Sequence, residues 1–406
     1  VWSDEFDGSS LNTSYWNFDL GDGSDAGLNP GWGNFEEQWY TADNVTVSDG
    51  TLKITANREE LVAGYPYTSS RITTKGKVDI KYGRIEGRIK APAGQGMWSA
   101  FWMLSSDTPY GSDGWAASGE IDIFEAINPT VGGPLDFTGA TIYHGFPWPL
   151  QQTLNQRYSD FNAALEDFDA TTEFNNYAVE WEQNEVRFFV NDTHVKTINS
   201  NGYYSYYYDD VTEQYTLATD GAPFDTEFHI ILNLAVGGIA TGELVDPDFQ
   251  TADMEVEYVR VYRCTYDTPN AKGCNSNVSN TVVTTPLTGS NRPTVNTYDL
   301  YVDAPAVFNY TIPGGELVRP LALASFFDND GALTFEEVAA ADTSRGNVIA
   351  VDSTGGGNIS LYPVEEPIQL QFMGNNPNFL ELFAGELRFD LLVNSAEAGS
   401  QFLVKM

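Results

Sequence analysis

Ser118-Gly119-Glu120-Ile121-Asp122-Ile123-Phe124-Glu125 sets three carboxylates into a run whose other members after Gly119 are apolar and β-prone. Side chains along a strand alternate between its two faces, so Glu120 and Asp122 share one face. Glu125 follows Glu120 by an odd number of positions and so belongs to the opposite face. A β-bulge near Ile123-Phe124 sets two residues opposite one on the neighbouring strand and returns Glu125 to the face of the other two acids. Three acids then line one wall. The Cα atoms of Glu120 and Glu125 come to lie about four residue rises apart, roughly 13 Å. From there two long side chains leaning inward can bring their carboxyls to the ~5–5.5 Å of a retaining glycosidase pair. The spacing therefore points to sugar chemistry, against the plainer reading of an acidic, solvent-facing strand in an acidic protein.

The flanks favour the first reading. Upstream runs Gly96-Met97-Trp98-Ser99-Ala100-Phe101-Trp102-Met103-Leu104, and Trp115 stands just before the acids. Sugars present flat C–H faces that pack on aromatic rings, whereas an indole taken alone is more often core. Core packing accounts for one of these three tryptophans more readily than for all of them.

With these runs in view, residues 1–264 resemble the family 16 glycoside hydrolases, and within them the laminarinase-like endo-β-1,3-glucanases. The resemblance rests on Val1-Trp2-Ser3-Asp4-Glu5-Phe6-Asp7-Gly8, Gly31-Trp32-Gly33-Asn34-Phe35-Glu36-Glu37-Gln38-Trp39-Tyr40-Thr41 and Ser70-Arg71-Ile72-Thr73-Thr74-Lys75-Gly76. It continues through the tryptophan and acid runs, Tyr177-Ala178-Val179-Glu180-Trp181, the stretch from Phe228 to Gly238, and Val256-Glu257-Tyr258-Val259-Arg260-Val261-Tyr262. It implies an all-β fold, a concanavalin-like β-jelly-roll of two curved antiparallel sheets whose concave face is an open cleft. It also implies Glu120 as nucleophile, Glu125 as general acid/base and Asp122 as the residue that tunes the nucleophile.

Chemistry makes sense of those roles. Retaining double displacement needs one carboxylate ionised to attack the anomeric carbon and one protonated to serve the leaving oxygen. Like charges on one wall push the pKa values apart, and a hydrogen bond between Asp122 and Glu120 keeps the pair from ionising at random.

For substrate binding, the resemblance implies Asn34 and Arg71 on sugar hydroxyls, with Trp98, Trp102 and Trp115 building the cleft. Asn34 also suits the geometry of its Gly-Trp-Gly-Asn turn, and Arg71 also suits a plain ion pair. One of Glu36 and Glu37 is expected at the cleft and the other in solvent, with Gln38 and Trp148 as further candidates. In Ala140-Thr141-Ile142-Tyr143-His144-Gly145 the order departs from the family's, in which a His precedes the aromatic. His144 is therefore expected to face either the cleft or its back. Many relatives hold a structural calcium on the convex face. The matching positions are Glu5, the Gly50 carbonyl and Asp253, oxygen donors that suit Ca²⁺, with plain surface acids as the alternative. No cofactor is expected for catalysis.

Charge narrows the partners. Asp and Glu number 57 against 20 Lys and Arg, a net charge of −37, which opposes binding to nucleic acid or an anionic membrane. No basic cluster offers itself to a sulfated polysaccharide, so a neutral β-glucan is the expected partner and the protein is expected to be a monomer. No apolar run is long enough to span a bilayer, so no membrane insertion is expected. The chain lacks a basic start followed by an apolar stretch, and a secreted or periplasmic protein is expected whose signal peptide is absent here. The two cysteines, Cys264 and Cys274, flank a turn-rich segment. A disulfide closing this small loop, in an oxidising compartment, is preferred to free thiols.

Segments at 51–56, 83–91, 176–181, 186–190, 227–234 and 254–263 alternate or run β-branched and aromatic. Helical spacing shows only at 159–168. Residues 1–274 thus read as the catalytic domain, 275–294, rich in Ser, Asn, Thr and Pro, as a linker, and 295–406 as a small accessory β-sandwich. Its expected strands lie at 297–302, 307–311, 347–352, 358–363, 368–373 and 387–394. Within it, Asp328-Asn329-Asp330-Gly331-Ala332-Leu333-Thr334-Phe335-Glu336-Glu337 fails as an EF-hand, because placing Gly331 at the glycine position puts Phe326 at the first ligand. The motif is similar to a turn of bacterial cadherin-like β-sandwich modules.

Overall fold

In the computed structural model, residues 2–264 are described apart from 112–114, 131–136, 146–150, 159–167, 210, 212–213, 220 and 243. Beyond 264 the described residues are the strands at 284–285, 307–311, 318–328, 333–339, 347–353, 357–363 and 370–372. The chain divides into two compact units, Val1–Arg292 and Pro293–Met406.

The first unit is a β-sandwich. One sheet runs, edge to edge, through Gln151–Arg157, Phe137–Gly145, Glu120–Ile127, Met97–Ser105, Phe228–Val236, Arg71–Thr73 and Asn17–Asp19. The other is built around Asn175–Glu182, Gly83–Lys90, Thr251–Tyr262 and Thr51–Asn57. Among the described residues, helical turns are short, at Ser24–Ala26, Gly31–Phe35 and Ile239–Thr241, and no helix is long and apolar enough to cross a membrane. The helical spacing at 159–168 and Trp148 fall outside the described residues, apart from Phe168.

Alternation explains the layers. Phe228, Ile230, Leu232, Leu234 and Val236 turn inward to the core, with Phe101, Met103, Ile121, Ile142, Val179 and Trp181. The residues between them, His229, Ile231, Asn233 and Ala235, take the other face. Packing across the sandwich is close enough to dictate a glycine. A Cβ on Gly87 would meet Phe101 Cε1 at 2.9 Å, nearer than carbon atoms pack.

The stretch expected as a linker is not free throughout. Thr284–Thr285 adds to the first unit as a short strand parallel to Thr193–Asn199. In the second unit, strands at Val307–Thr311, Val318–Asp328, Gly357–Pro363 and Leu370–Phe372 form one sheet, and Leu333–Ala339 pairs with Asn347–Ser353. The acidic motif from Asp328 to Glu337 therefore joins the end of one strand to the next. Val318–Asp328 and Leu333–Ala339 were absent from the sequence expectation, and the strands expected at 297–302 and 387–394 lie outside the described residues.

Candidate active site

The bulge falls where parity requires it. Phe101 pairs with Phe124 and Trp102 with Asp122, leaving Ile123 extra on the Glu120–Ile127 strand. On the other side Asp122 faces Thr141 and Glu125 faces Gly139, a second register shift over the same residues. Ile123 and Phe124 both enter the core. Glu120, Asp122 and Glu125 consequently line one face, each buried. Gly119 introduces them at φ +85, where a Cβ would meet Pro223 Cγ at 2.9 Å, so only glycine can bring the chain into Glu120 here.

Tryptophans hold the outer two acids. Trp115 Nε1 donates to Glu120 Oε2. Trp98 Nε1 donates to Glu125 Oε1 at 3.1 Å, and Thr141 Oγ1 to its Oε2 at 3.4 Å. Burial pushes all three carboxyls above their ordinary range. The charge of Glu125 adds to the rise at Glu120, against the Trp115 hydrogen bond. At Glu125 the Trp98 and Thr141 bonds pull the other way. Asp122, 3% exposed, is raised by burial and then by the charges of both glutamates. Its Oδ2 has no hydrogen-bond partner. The proton therefore belongs first on Asp122, which keeps it while donating a hydrogen bond to Glu120 and so leaves that group ionised.

A row of paired residues extends from Glu125 across the sheet through Ala100, Asn233, Arg71 and Asp19. Arg71 Nε bonds Asp19 Oδ2 at 3.0 Å, and its guanidinium lies 4.4 Å from the Trp32 ring centroid and 4.8 Å from that of Trp102. Arg71 and Trp102 thus belong to the acid-bearing face. Asn34 sits at the Gly31–Phe35 turn and donates to Glu36 Oε1 at 3.1 Å. Of the neighbouring acids, Glu36 is buried and Glu37 half-buried.

His144 does not join the cleft. Tyr143 is the residue that pairs with Glu120, so His144, one position on, shares the face of Ile142 and Ala140. It is buried, packs edge-on against Tyr204 at 5.3 Å, and burial pulls its pKa down to about 4. Tyr143 packs on Trp115 at 4.7 Å, and after burial the charges of Glu125, Asp122 and Glu120 raise its pKa. Tyr143 and Asn233 are cleft residues that reading the sequence passed over. The inverted Tyr-His order was the available signal for the first, and strand alternation from Leu232 for the second.

The expected calcium ligands do not converge. Both Glu5 oxygens are taken by Arg260, at 2.9 and 2.7 Å, so a guanidinium stands where a cation would bind. Asp253 bonds Thr55 Oγ1 at 2.7 Å and Lys53 at 3.4 Å. Arg260 and Asp253 are well separated along one strand, pairing with Ser3 and Thr55 respectively. The acid that register brings towards the Gly50 turn is Glu257, which Arg88 holds at 2.5 Å. Among the described residues no group of three His, Cys, Asp or Glu could hold a metal ion. Cys264 is disulfide-bonded; Cys274, the chain's other cysteine, lies outside the described residues.

Similarity to known proteins agrees with this site. The chain is 36% identical over 281 residues to glucan endo-1,3-beta-glucosidase A1 of Niallia circulans, a match covering 65% of this chain and 37% of that one. It is 40% identical over 273 residues to a beta-glucanase of Rhodothermus marinus, covering 65% and 84%. Among solved structures, the laminarinase catalytic domain of Thermotoga maritima superposes with a TM-score of 0.53 at 33% identity, covering 66% of this chain and 98% of the other. A family described as "Beta-porphyranase A-D, GH16 domain" matches residues 1–264, and with the acid wall and β-sandwich already described, the chain belongs to glycoside hydrolase family 16.

Proposed function

We propose that this protein is a retaining endo-β-1,3-glucanase that hydrolyses laminarin by double displacement. The bulged acid wall carries the reading, since three buried carboxyls share one face and the outer two are each held by an indole N–H. Glu120, left ionised by the proton on Asp122, attacks the anomeric carbon. Glu125 gives its proton to the leaving oxygen and then takes one from the incoming water. Trp98, Trp102, Trp115 and Tyr143 supply ring surfaces for the glucan, and Arg71 and Asn34 supply hydroxyl contacts. The relatives named as glucanases and laminarinase support a β-glucan substrate.

The family description names a porphyranase, which makes a sulfated galactan the reading to test against. Charge opposes it. Arg71, the cation of the acid row, is already paired with Asp19, and the chain carries a net charge of −37. Mixed-linkage β-1,3-1,4-glucan is the nearer alternative, and a non-catalytic glucan-binding module the more distant one. We read the protein as a secreted monomer that needs no cofactor for catalysis. The disulfide at Cys264 supports an oxidising compartment.

Reducing-sugar release from laminarin, mixed-linkage glucan, agarose, carrageenan and porphyran, by wild type and Glu120→Gln, tests the proposal. Short oligomers from laminarin, lost in the variant, are expected, and Glu120→Ser should regain glycosyl transfer from an α-glycosyl fluoride. Binding without turnover on every substrate would make the protein a recognition module.

A further inference from the structure

Glu36 is a buried carboxylate outside the acid wall, and hydrogen bonds lead from it back to the cleft. Its Oε2 accepts from Gln38 Nε2 at 2.7 Å and from Tyr40 OH at 3.2 Å, and its Oε1 from Asn34 Nδ2 at 3.1 Å. Tyr40 OH accepts in turn from Asn233 Nδ2 at 3.2 Å. Asn233 Oδ1 accepts from Trp102 Nε1 at 2.7 Å. An indole N–H can only donate and a carboxylate can only accept, so the two ends dictate the direction of every bond between them. Gln38 is locked likewise, because its Oε1 accepts from the Val236 N–H at 2.8 Å and turns its NH₂ towards Glu36.

We propose that Glu36 is a positioning residue for the glucan cleft, the acceptor end of a one-way relay through Tyr40 and Asn233 that fixes the indole of Trp102 beside the acid wall. A carboxylate placed in the interior costs stability, and three donors offset that cost here. What an acceptor-only group adds is polarity. Tyr40 must donate to it, the Asn233 amide must therefore turn its NH₂ to Tyr40, and its carbonyl is left for Trp102. Trp102 is thereby held in the plane that Arg71 overlies at 4.8 Å, in the strand position paired with Asp122.

The inference rests on the glucanase reading for its kinetic consequence but not for its structural one. Indole N–H resonances of the ¹⁵N-tryptophan-labelled full chain give the structural readout, with Trp102 identified by its absence in Trp102→Phe. Tyr40→Phe, which removes one oxygen from the middle of the relay, and Glu36→Gln should both shift the Trp102 resonance and speed its exchange with solvent. An unmoved resonance in folded Tyr40→Phe overturns the relay. With laminarin as substrate, each variant should raise KM about tenfold with kcat within about twofold. In a Trp102→Phe background neither should raise KM further, whereas a merely structural Glu36 would give additive losses and sink the proposal. Should wild type leave laminarin intact, the glucanase reading fails while the resonance shift still decides the relay.

Discussion

Trp98 donates its indole N–H to Glu125 Oε1 at 3.1 Å, from the strand paired with the one that carries the acid wall. The bond favours ionised Glu125 and works against the rise that burial imposes. Trp98→Phe keeps a ring and deletes the donor, so Glu125 should hold its proton to higher pH. The alkaline limb of kcat/KM, where the general acid is lost, should move up by about one pH unit, taking a charged hydrogen bond as roughly 1.5 kcal/mol. Trp115→Phe acts on Glu120 and should move the acid limb upward instead.

Asp122 couples function to stability. Its folded pKa, like those of Glu120 and Glu125, lies above the unfolded one, so the native state keeps protons that the unfolded chain releases. Stability from this source is complete below the ordinary carboxyl values of 3.8 and 4.5. It is lost as pH rises through the raised folded values of the three neighbouring carboxyls. Asp122→Asn removes one such group. Its Tm should fall less steeply than wild type between about pH 5 and pH 9, while activity drops roughly a hundredfold. Calorimetry across that range, with parallel rates, checks both.

Neighbouring positions 143 and 144 should separate cleanly. Tyr143→Ala uncovers Trp115 and the acid wall and should lower kcat/KM by about tenfold, near the value of an aromatic pair. His144→Ala empties a buried site on the other face and should cost about 1–3 kcal/mol of stability with the pH–rate profile unchanged. Denaturant unfolding and a pH series on both variants provide the comparison.

Gly87→Ala should destabilise by about 1–3 kcal/mol, because its Cβ would meet Phe101 Cε1 at 2.9 Å. Phe101→Leu in that background should recover part of the loss by withdrawing the clashing ring. Urea midpoints of the two single variants and the double variant measure the coupling.

Parity made much of this legible from the chain alone. A strand has a strict period of two, so acids at 120, 122 and 125 can share a face only through a bulge, and Ile123 is the extra residue. Alternation in the Phe228–Val236 strand likewise separates core from cleft without reference to any neighbour. The second unit was less legible, since the acidic motif from Asp328 to Glu337 has the composition of a turn, yet its two ends belong to the strands Val318–Asp328 and Leu333–Ala339.

Tertiary structure decided whatever depended on pairing between distant segments. Register against Glu120 turned Tyr143 to the cleft and His144 away from it. Pairing with Ser3 and Thr55 set Arg260 and Asp253 apart on one strand, which undid the expected calcium set. Glu36 has its own partners close by in sequence, but its link from Tyr40 to Trp102 runs through Asn233, contributed by a strand far along the chain. The sequence by itself determined the all-β class, the acid wall and the bulge beneath it, because these follow from local periodicity. Which side chains meet across strands depends on register, and register is settled only when the sheets pack.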